Sequence, residues 1–287
     1  MISSPVVQAA IWMVGAIVGF TSMALAGRII AVELDTFELM LFRSLFGLLI
    51  VFSVGFFAGT LHQVSRRHMH IQIIRNLCHF TGQNLWFFAI AVAPLAQVVA
   101  LEFTSPLWVL FLAPFVLGEK LTRSRILTAC IGFAGVLIVA RPGINDVGIG
   151  VLCAGLAAIG FAATALFTKI LTRTESITCI LVYLTLTQSI FGLICAGYDG
   201  DIAVPSWPLL PWVLLVGVAG LLAHFCLTKA LTIAPAAIVM PMDFARLPTV
   251  AILAMLIFNE TLDIWIFIGA IVIFASNYLN ILREKRG

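Results

Sequence analysis

Residues 93–121 read APLAQVVALEFTSPLWVLFLAPFVLGEKL, and residues 234–262 read APAAIVMPMDFARLPTVAILAMLIFNETL. Set one beneath the other, they match at a constant offset of 141 residues: Ala93-Pro94 with Ala234-Pro235, Glu102 with Asp243, Glu119 with Glu260 and Leu121 with Leu262. The offset reaches beyond these stretches. It pairs Gly19-Phe20 with Gly160-Phe161, Ala24-Leu25 with Ala165-Leu166, and Arg28 with Lys169. Two apolar runs can match by chance, but glycine, proline and acidic positions rarely share one offset that way. The chain reads as two copies of one unit.

Composition says what kind of unit. Of 287 residues, 62% are apolar and 10% charged, with a mean hydropathy of +1.14. A soluble domain is about half apolar and about a quarter charged. A compact soluble fold of this length cannot hide so much apolar surface, which excludes a cytosolic enzyme, a nucleic-acid binder and a disordered chain. The apolar runs are long and do not alternate, which excludes barrel strands. They predict ten membrane-spanning helices, near 8–30, 36–58, 69–92, 95–117, 123–141, 147–170, 176–197, 208–230, 236–258 and 263–282. The expected fold is all-α, as two repeats of five spans, residues 8–141 and 147–282. An odd number of spans turns the second copy over in the bilayer, and such inverted repeats are common among secondary transporters.

The basic residues orient the chain. With the amino terminus in the cytoplasm, the cytoplasmic connections hold 11 Lys and Arg (from Arg66 and Arg67 to Arg283, Lys285 and Arg286), and the outer ones hold only Arg28 and Arg141. Both termini are therefore expected in the cytoplasm. The basic loops serve this orientation and need no nucleic-acid partner. The opening MISSPVVQAAIWM lacks a basic flank and a small-residue cleavage site, so it reads as an uncleaved first span. The six cysteines lie singly in apolar runs without ligand spacing, so neither a metal site nor a disulfide framework is expected.

The stretches 93–121 and 234–262, with IGFAGVLIVARPG at 131–143, resemble the ten-span EamA branch of the drug/metabolite transporter superfamily over essentially the whole chain. The resemblance implies a basket of two five-helix repeats around a cavity lined by spans 1, 3, 4, 6, 8 and 9. FTSMALAGRIIAVELDTFELMLFRS at 20–44 and RNLCHFTGQNLWFFAIAVAPLA at 75–96 are similar to the bacterial riboflavin-uptake branch. That implies a flavin as cargo; related branches carry amino acids, S-adenosylmethionine or other metabolites.

Ionisable groups inside a bilayer are costly, and they face a cavity or a partner. At about 1.5 Å per residue, Arg43 and Glu102 lie about 10 Å from the outer face, where they are expected to pair. Arg75 and Asp243 lie about 10 Å from the inner face, with Arg246 one turn deeper and on the same helical face as Asp243. One reading makes Arg43, Glu102, Asp243 and Arg246 gating or coupling residues, with Glu102 or Asp243 as the carrier of a coupled proton. The other makes them static pairs that neutralise buried charge.

Span 3 carries a polar stripe of Arg75, His79 and Gln83, with Trp86 nearby and Asn84 on the adjacent face. His224 in span 8 is the repeat mate of Gln83. Gln83, Asn84 and His224 could hydrogen-bond a planar polar ligand that stacks on Trp86. The alternative is hydrogen bonding between helices, about 1 kcal/mol per contact. Pro106, Pro114, Pro241 and Pro248 allow spans 4 and 9 to bend beside the aligned acids. Glu119 and Glu260 read as caps of the following helices, and Arg28 and Lys169 as side chains reaching the membrane surface.

A secondary carrier accounts for length, repeat and buried polar groups together. The sequence has no HExxH, no GxSx serine pattern and no paired aspartates in a GxGD setting, Asp199 and Asp201 reading as a turn in the outer loop GYDGD. It has no P-loop, no recognisable channel filter, and no feature calling for a cofactor. The expected activity is uptake of riboflavin through the bacterial inner membrane by alternating access. Export of amino acids and carriage of S-adenosylmethionine are the other readings.

Overall fold

The computed structural model describes residues 5–118, 123–141, 148–233 and 242–284. Among these residues every regular element is helical. In the first half the helices are α1 (Pro5–Ile30), α2 (Thr36–Phe57), α3 (Met69–Val92), α4 (Leu95–Glu102), α5 (Ser105–Leu117) and α6 (Arg123–Ala140). In the second they are α7 (Ile149–Leu171), α8 (Ile177–Ala196), α9 (Leu210–Ile233), α10 (Arg246–Phe258) and α11 (Ile264–Glu284). Short 3-10 turns occupy Leu61–Gln63 and Asp243–Ala245.

The offset of 141 recurs in the helix ends. It carries the end of α1 to that of α7, both ends of α3 to those of α9, both ends of α5 to those of α10, and the starts of α2 and α6 to those of α8 and α11. The local chemistry recurs too. Asp35 caps α2 by accepting from the Glu38 N–H at 2.8 Å, and its mate Ser176 caps α8 by accepting from the Cys179 N–H at 3.2 Å. Gly118 ends α5 at φ 69°, and its mate Asn259 ends α10 at φ 55°. Both lie in the left-handed region that stops a helix, which Gly and Asn enter most easily.

The helices pack across the halves. The main pairings are α1 with α9, α3 with α7, α2 with α8 and α6 with α11. Exchanging the halves turns the first pairing into the second and each of the others into itself. Small residues set the tightest crossings. A Cβ on Gly19 would come within 2.8 Å of the Ala219 carbonyl and of Ala223 Cβ. A Cβ on Gly160 would come within 3.0 Å of the Cys78 carbonyl and 2.9 Å of Gly82 Cα. Cys78 and Gly82 are the repeat mates of Ala219 and Ala223, so one backbone-to-backbone contact occurs twice.

Five described helical segments are long and apolar enough to cross a membrane: 5–30, 36–57, 149–171, 177–196 and 210–227. Shorter apolar segments lie at 95–109, 129–140, 246–258 and 264–276. α3 has the length but carries Arg75, Asn76, His79, Gln83 and Asn84, all buried. Large apolar side chains such as Ile11, Leu49, Phe115 and Leu256 stay exposed on the perimeter. That is the surface of a protein whose solvent is lipid.

The expected fourth span is not one helix. It breaks at Phe103-Thr104, between α4 and α5. Pro106 sits in the first turn of α5, where its missing N–H costs nothing, and the Thr104 hydroxyl donates to the Leu101 carbonyl at 2.7 Å. In the second half a 3-10 turn precedes α10, and Pro248 again falls in the first turn. Each break lies beside the aligned acid, Glu102 or Asp243. Pro241 and Glu119 lie outside the described residues.

Candidate functional site

The two breaks meet. Arg246, buried at the start of α10, donates from Nη2 to Glu102 Oε1 at 3.0 Å, from Nη1 to Glu102 Oε2 at 3.3 Å and from Nη2 to Asp243 Oδ2 at 3.1 Å. Its guanidinium lies between two rings, 5.1 Å from the centre of Phe20 and 5.0 Å from that of Phe103. Cation–π attraction adds about 0.5–2 kcal/mol at such desolvated positions. Trp86 Nε1 donates to Glu102 Oε2 at 2.9 Å. One arginine thus ties both acids, and both halves, into a single cluster. The expected Asp243–Arg246 pair forms, but the expected Arg43–Glu102 pair does not. The backbone brings Arg246 onto Glu102, and both Glu102 oxygens accept from Arg246 rather than from Arg43.

Arg43 turns instead to Gln83. Its Nη1 donates to Gln83 Oε1 at 2.7 Å and to Met40 Sδ at 3.4 Å, and its guanidinium lies 5.9 Å from the centre of the Phe87 ring. Arg75 donates to Thr168 Oγ1 at 3.0 Å and to Asn76 Oδ1 at 2.7 Å. Asn76 donates in turn to the Tyr183 carbonyl, and Gln188 to the Asn76 carbonyl. This lower part of the stripe binds α3 to α7 and α8. Neither Arg43 nor Arg75 has a carboxylate partner among the described residues.

The rest of the stripe lies where α1, α3, α7 and α9 meet. His79 lies 6.4 Å from His224, ring centre to ring centre, and 6.3 Å from Phe161. Phe20 meets His224 edge-on at 5.2 Å. Asn84 Nδ2 donates to the Phe80 carbonyl at 2.8 Å, while Asn84 Oδ1 and His79 Nδ1 are buried with no hydrogen-bond partner. Trp86 is fully buried, so it holds Glu102 and offers no free face for stacking. The structure therefore brings His79 and His224 together with Phe20 and Phe161 and sets Gln83 on Arg43, while Asn84 bonds back to its own helix. Phe20 joins the Glu102–Arg246–Asp243 bridge to this group, and Arg75 reaches α7 through Thr168.

Two groups of residues were not assigned to a site from the sequence. Phe20 and Phe161 are one, although the repeat had paired them; a phenylalanine among 22 gives no local signal of its own. The other closes the end of the bundle where α1 and α10 finish. Arg28 Nη2 donates to the Ala93 carbonyl at 2.8 Å and its guanidinium pairs with Glu260. Glu260 Oε2 accepts from the Leu95 N–H at 3.0 Å. Arg28 also lies 5.5 Å from the centre of the Phe258 ring. Arg28 is thus not simply reaching a surface. With Glu260 it ties α1 and α10 to the turn between α3 and α4. Arg141 and Asp263 form a second ion pair between the end of α6 and the start of α11.

Comparison with known proteins gives this arrangement a family. The EamA-like transporter family model matches residues 7–141 and again residues 148–282. An S-adenosylmethionine uptake transporter of Rickettsia bellii is 28% identical over 96% of this chain and 94% of that protein. A riboflavin transporter of Brucella anthropi is 32% identical over 77% of this chain and 78% of that protein. A riboflavin transporter of Rhizobium johnstonii is 29% identical over 99% and 94%. A solved crystal structure superposes with a TM-score of 0.66 over 97% of this chain and 98% of that one, at 16% identity, a likeness of fold alone. With its apolar helices, its buried polar centre and both halves matched by the one model, the chain belongs to the EamA-like transporter family, a multi-pass membrane transporter of small metabolites rather than an enzyme.

Proposed function

We propose that the protein is a ten-span carrier of the bacterial inner membrane that takes up riboflavin by alternating access. It is built of two inverted five-helix repeats, residues 8–141 and 147–282, with both termini in the cytoplasm. The observation that carries this reading is the meeting of the break at Phe103-Thr104 with the turn before α10: Glu102 from one half is bound to Arg246, and Arg246 to Asp243, of the other. Interrupted helices that meet at a repeat interface are where such carriers bind cargo. The helix ends that recur at an offset of 141, and a family match that does the same, support the repeat.

In this reading the cargo lies against Phe20 and Phe161 and hydrogen-bonds to Gln83, Asn84, His79 and His224. An isoalloxazine ring offers the matching flat face and imide edge. The Arg28–Glu260 clasp, on the side that the charge bias assigns to the exterior, opens for entry. The Glu102–Arg246–Asp243 bridge lets the halves exchange partners as they rock, and a coupled proton would ride on one of its carboxylates. A second reading is carriage of S-adenosylmethionine. It is favoured by the acidic side of the site, where Asp243 Oδ1 is buried without a hydrogen-bond partner and could face a sulfonium or ammonium.

The test is uptake of labelled riboflavin in a riboflavin-requiring bacterium that lacks its own uptake system. Saturable accumulation above the empty vector, displaced by unlabelled riboflavin and not by S-adenosylmethionine, is the expected result. No accumulation by protein verified in the membrane overturns the riboflavin assignment, and labelled S-adenosylmethionine entering instead establishes the second reading.

A further inference from the structure

Three guanidiniums, Arg43, Arg75 and Arg246, lie among the transmembrane helices near the site, and two carboxylates, Glu102 and Asp243, face them. Both carboxylates go to Arg246. Arg43 is left with one amide oxygen, one thioether and the face of a ring. A cation inside a bilayer calls for a counter-charge or for water. Beside Arg43 there is room for one. A recess between α2, α3, α8 and α9 is lined by Arg43, Ser44, His79, Thr185, Gln188 and Gly217, with about 30 Å³ in which the centre of a water-sized sphere can move. It is too small for a flavin or adenine ring but admits a carboxylate or a halide. His79, 5% exposed, lines it and has no hydrogen-bond partner at Nδ1. No acidic side chain lines it.

We propose that this recess is an anion subsite: Arg43, with His79 and the Ser44 hydroxyl, holds one small negative group that completes the charge balance of the site. The group is either a carboxylate on the cargo or a free halide bound alongside a neutral cargo. The proposal rests on the carrier reading but not on riboflavin as the cargo. It gives the cargo site two sides, an anionic one at Glu102 and Asp243 and a cationic one at Arg43.

The test uses the purified full chain in lipid nanodiscs, in a buffer whose only anion is a bulky sulfonate, with chloride or formate added at constant ionic strength. A saturable rise of the unfolding midpoint, about 2–5 °C at saturation, is expected. It should vanish in Arg43→Gln. A second variant, Gly217→Ala, guards against misfolding. Its Cβ would meet the Arg43 carbonyl and Phe46 Cβ at an ordinary 3.5 Å, so it should fold while narrowing the recess. It should weaken anion binding about tenfold or more.

Two further arms identify the source. If chloride competes with S-adenosylmethionine but not with its decarboxylated analogue, the cargo supplies the carboxylate. If chloride accelerates riboflavin uptake in proteoliposomes, the anion is free. Either result supports the subsite. The absence of any saturable anion effect, or an effect undiminished in both variants, overturns it. The carrier reading fails separately: midpoint shifts without transport of either cargo leave the subsite standing, and transport indifferent to anions and to Arg43→Gln leaves the carrier standing alone.

Discussion

Arg246, at the start of α10, and Arg43, in α2, both carry a guanidinium among the helices, yet their surroundings differ in kind. Arg246 donates to two carboxylates from different halves and is enclosed by two phenylalanine rings. Arg43 meets only neutral groups. Both belong to a bilayer protein in which stray charge is costly, so the difference separates two jobs. A cation fully paired within the protein holds helices together. A cation left short of a counter-charge beside an open recess is available to something that arrives.

The largest effect should come from breaking the paired side. Arg246→Met strands two part-buried carboxylates, and removing one partner of a fully buried pair costs about 3–5 kcal/mol, the upper bound here. Little folded, monodisperse protein should survive detergent extraction. Adding Glu102→Gln and Asp243→Asn removes the stranded charge, so the triple variant should regain its size-exclusion peak while remaining inactive in uptake. A single variant as stable as the parent would mean that the bridge does not hold the halves.

Arg43→Gln should do the reverse. It strands no carboxylate, and the lost hydrogen bond to Gln83 is offset by removing a costly charge from the bilayer interior, so the unfolding free energy should fall by no more than about 1 kcal/mol, while uptake falls about tenfold or more, which is about 1.4 kcal/mol. Measuring midpoint and initial rate on the same preparation gives the ratio of the two losses. Equal ratios for Arg43 and Arg246 would erase the distinction.

The clasp is the intermediate case: Arg28 is paired, but at a helix end. Glu260→Gln removes its counter-charge while keeping an acceptor for the Leu95 N–H. The fold should persist. A weakening of about 1 kcal/mol shifts an open–closed equilibrium about fivefold. In a cysteine-free background, Ala96→Cys, buried in α4, should then react about fivefold faster with an impermeant maleimide added outside. Unchanged labelling would mean that the clasp does not set access.

Which side chains share the site was partly legible in the sequence; who pairs with whom was not. Repetition made the framework readable, because one offset governs Asp35 and Ser176, Gly118 and Asn259, and the starts of α5 and α10. The polar stripe of α3 stood out against apolar neighbours. Pairing depends on helix crossings and on where a helix stops. Treating the fourth span as continuous left Arg43 as the natural partner of Glu102, whereas the break at Phe103-Thr104 gives that acid to Arg246. Arg28 and Glu260, 232 residues apart, each looked like a local end effect. Their meeting comes from the turn at Ala93-Pro94 lying against the end of α10, which no local pattern encodes. The roles of Phe20 and Phe161 were hidden because a ring that lines a site and one that fills a core look alike in sequence.

One substitution gives the finest cut between the two arginines. Trp86 touches the paired side through one hydrogen bond, Nε1 to Glu102 Oε2 at 2.9 Å, and packs edge-on against Phe87 at 5.2 Å between ring centres. Phe87 is the ring beneath Arg43. Trp86→Phe keeps much of the aromatic contact and deletes the donor. Because Glu102 keeps both bonds from Arg246, the carboxylate is not stranded, and the cost should be that of one hydrogen bond to a charged group plus a small cavity, about 1.5–3 kcal/mol. If Trp86 acts through Glu102, the loss should shrink to the cavity cost in a Glu102→Gln background, where the charge it serves is already gone. A double-mutant cycle on the unfolding midpoint measures this coupling. A loss unchanged by Glu102→Gln would assign Trp86 to packing alone. Loss of uptake without loss of stability would instead move Trp86 to Arg43's side of the site, through Phe87, and put an aromatic face back among the groups that meet cargo.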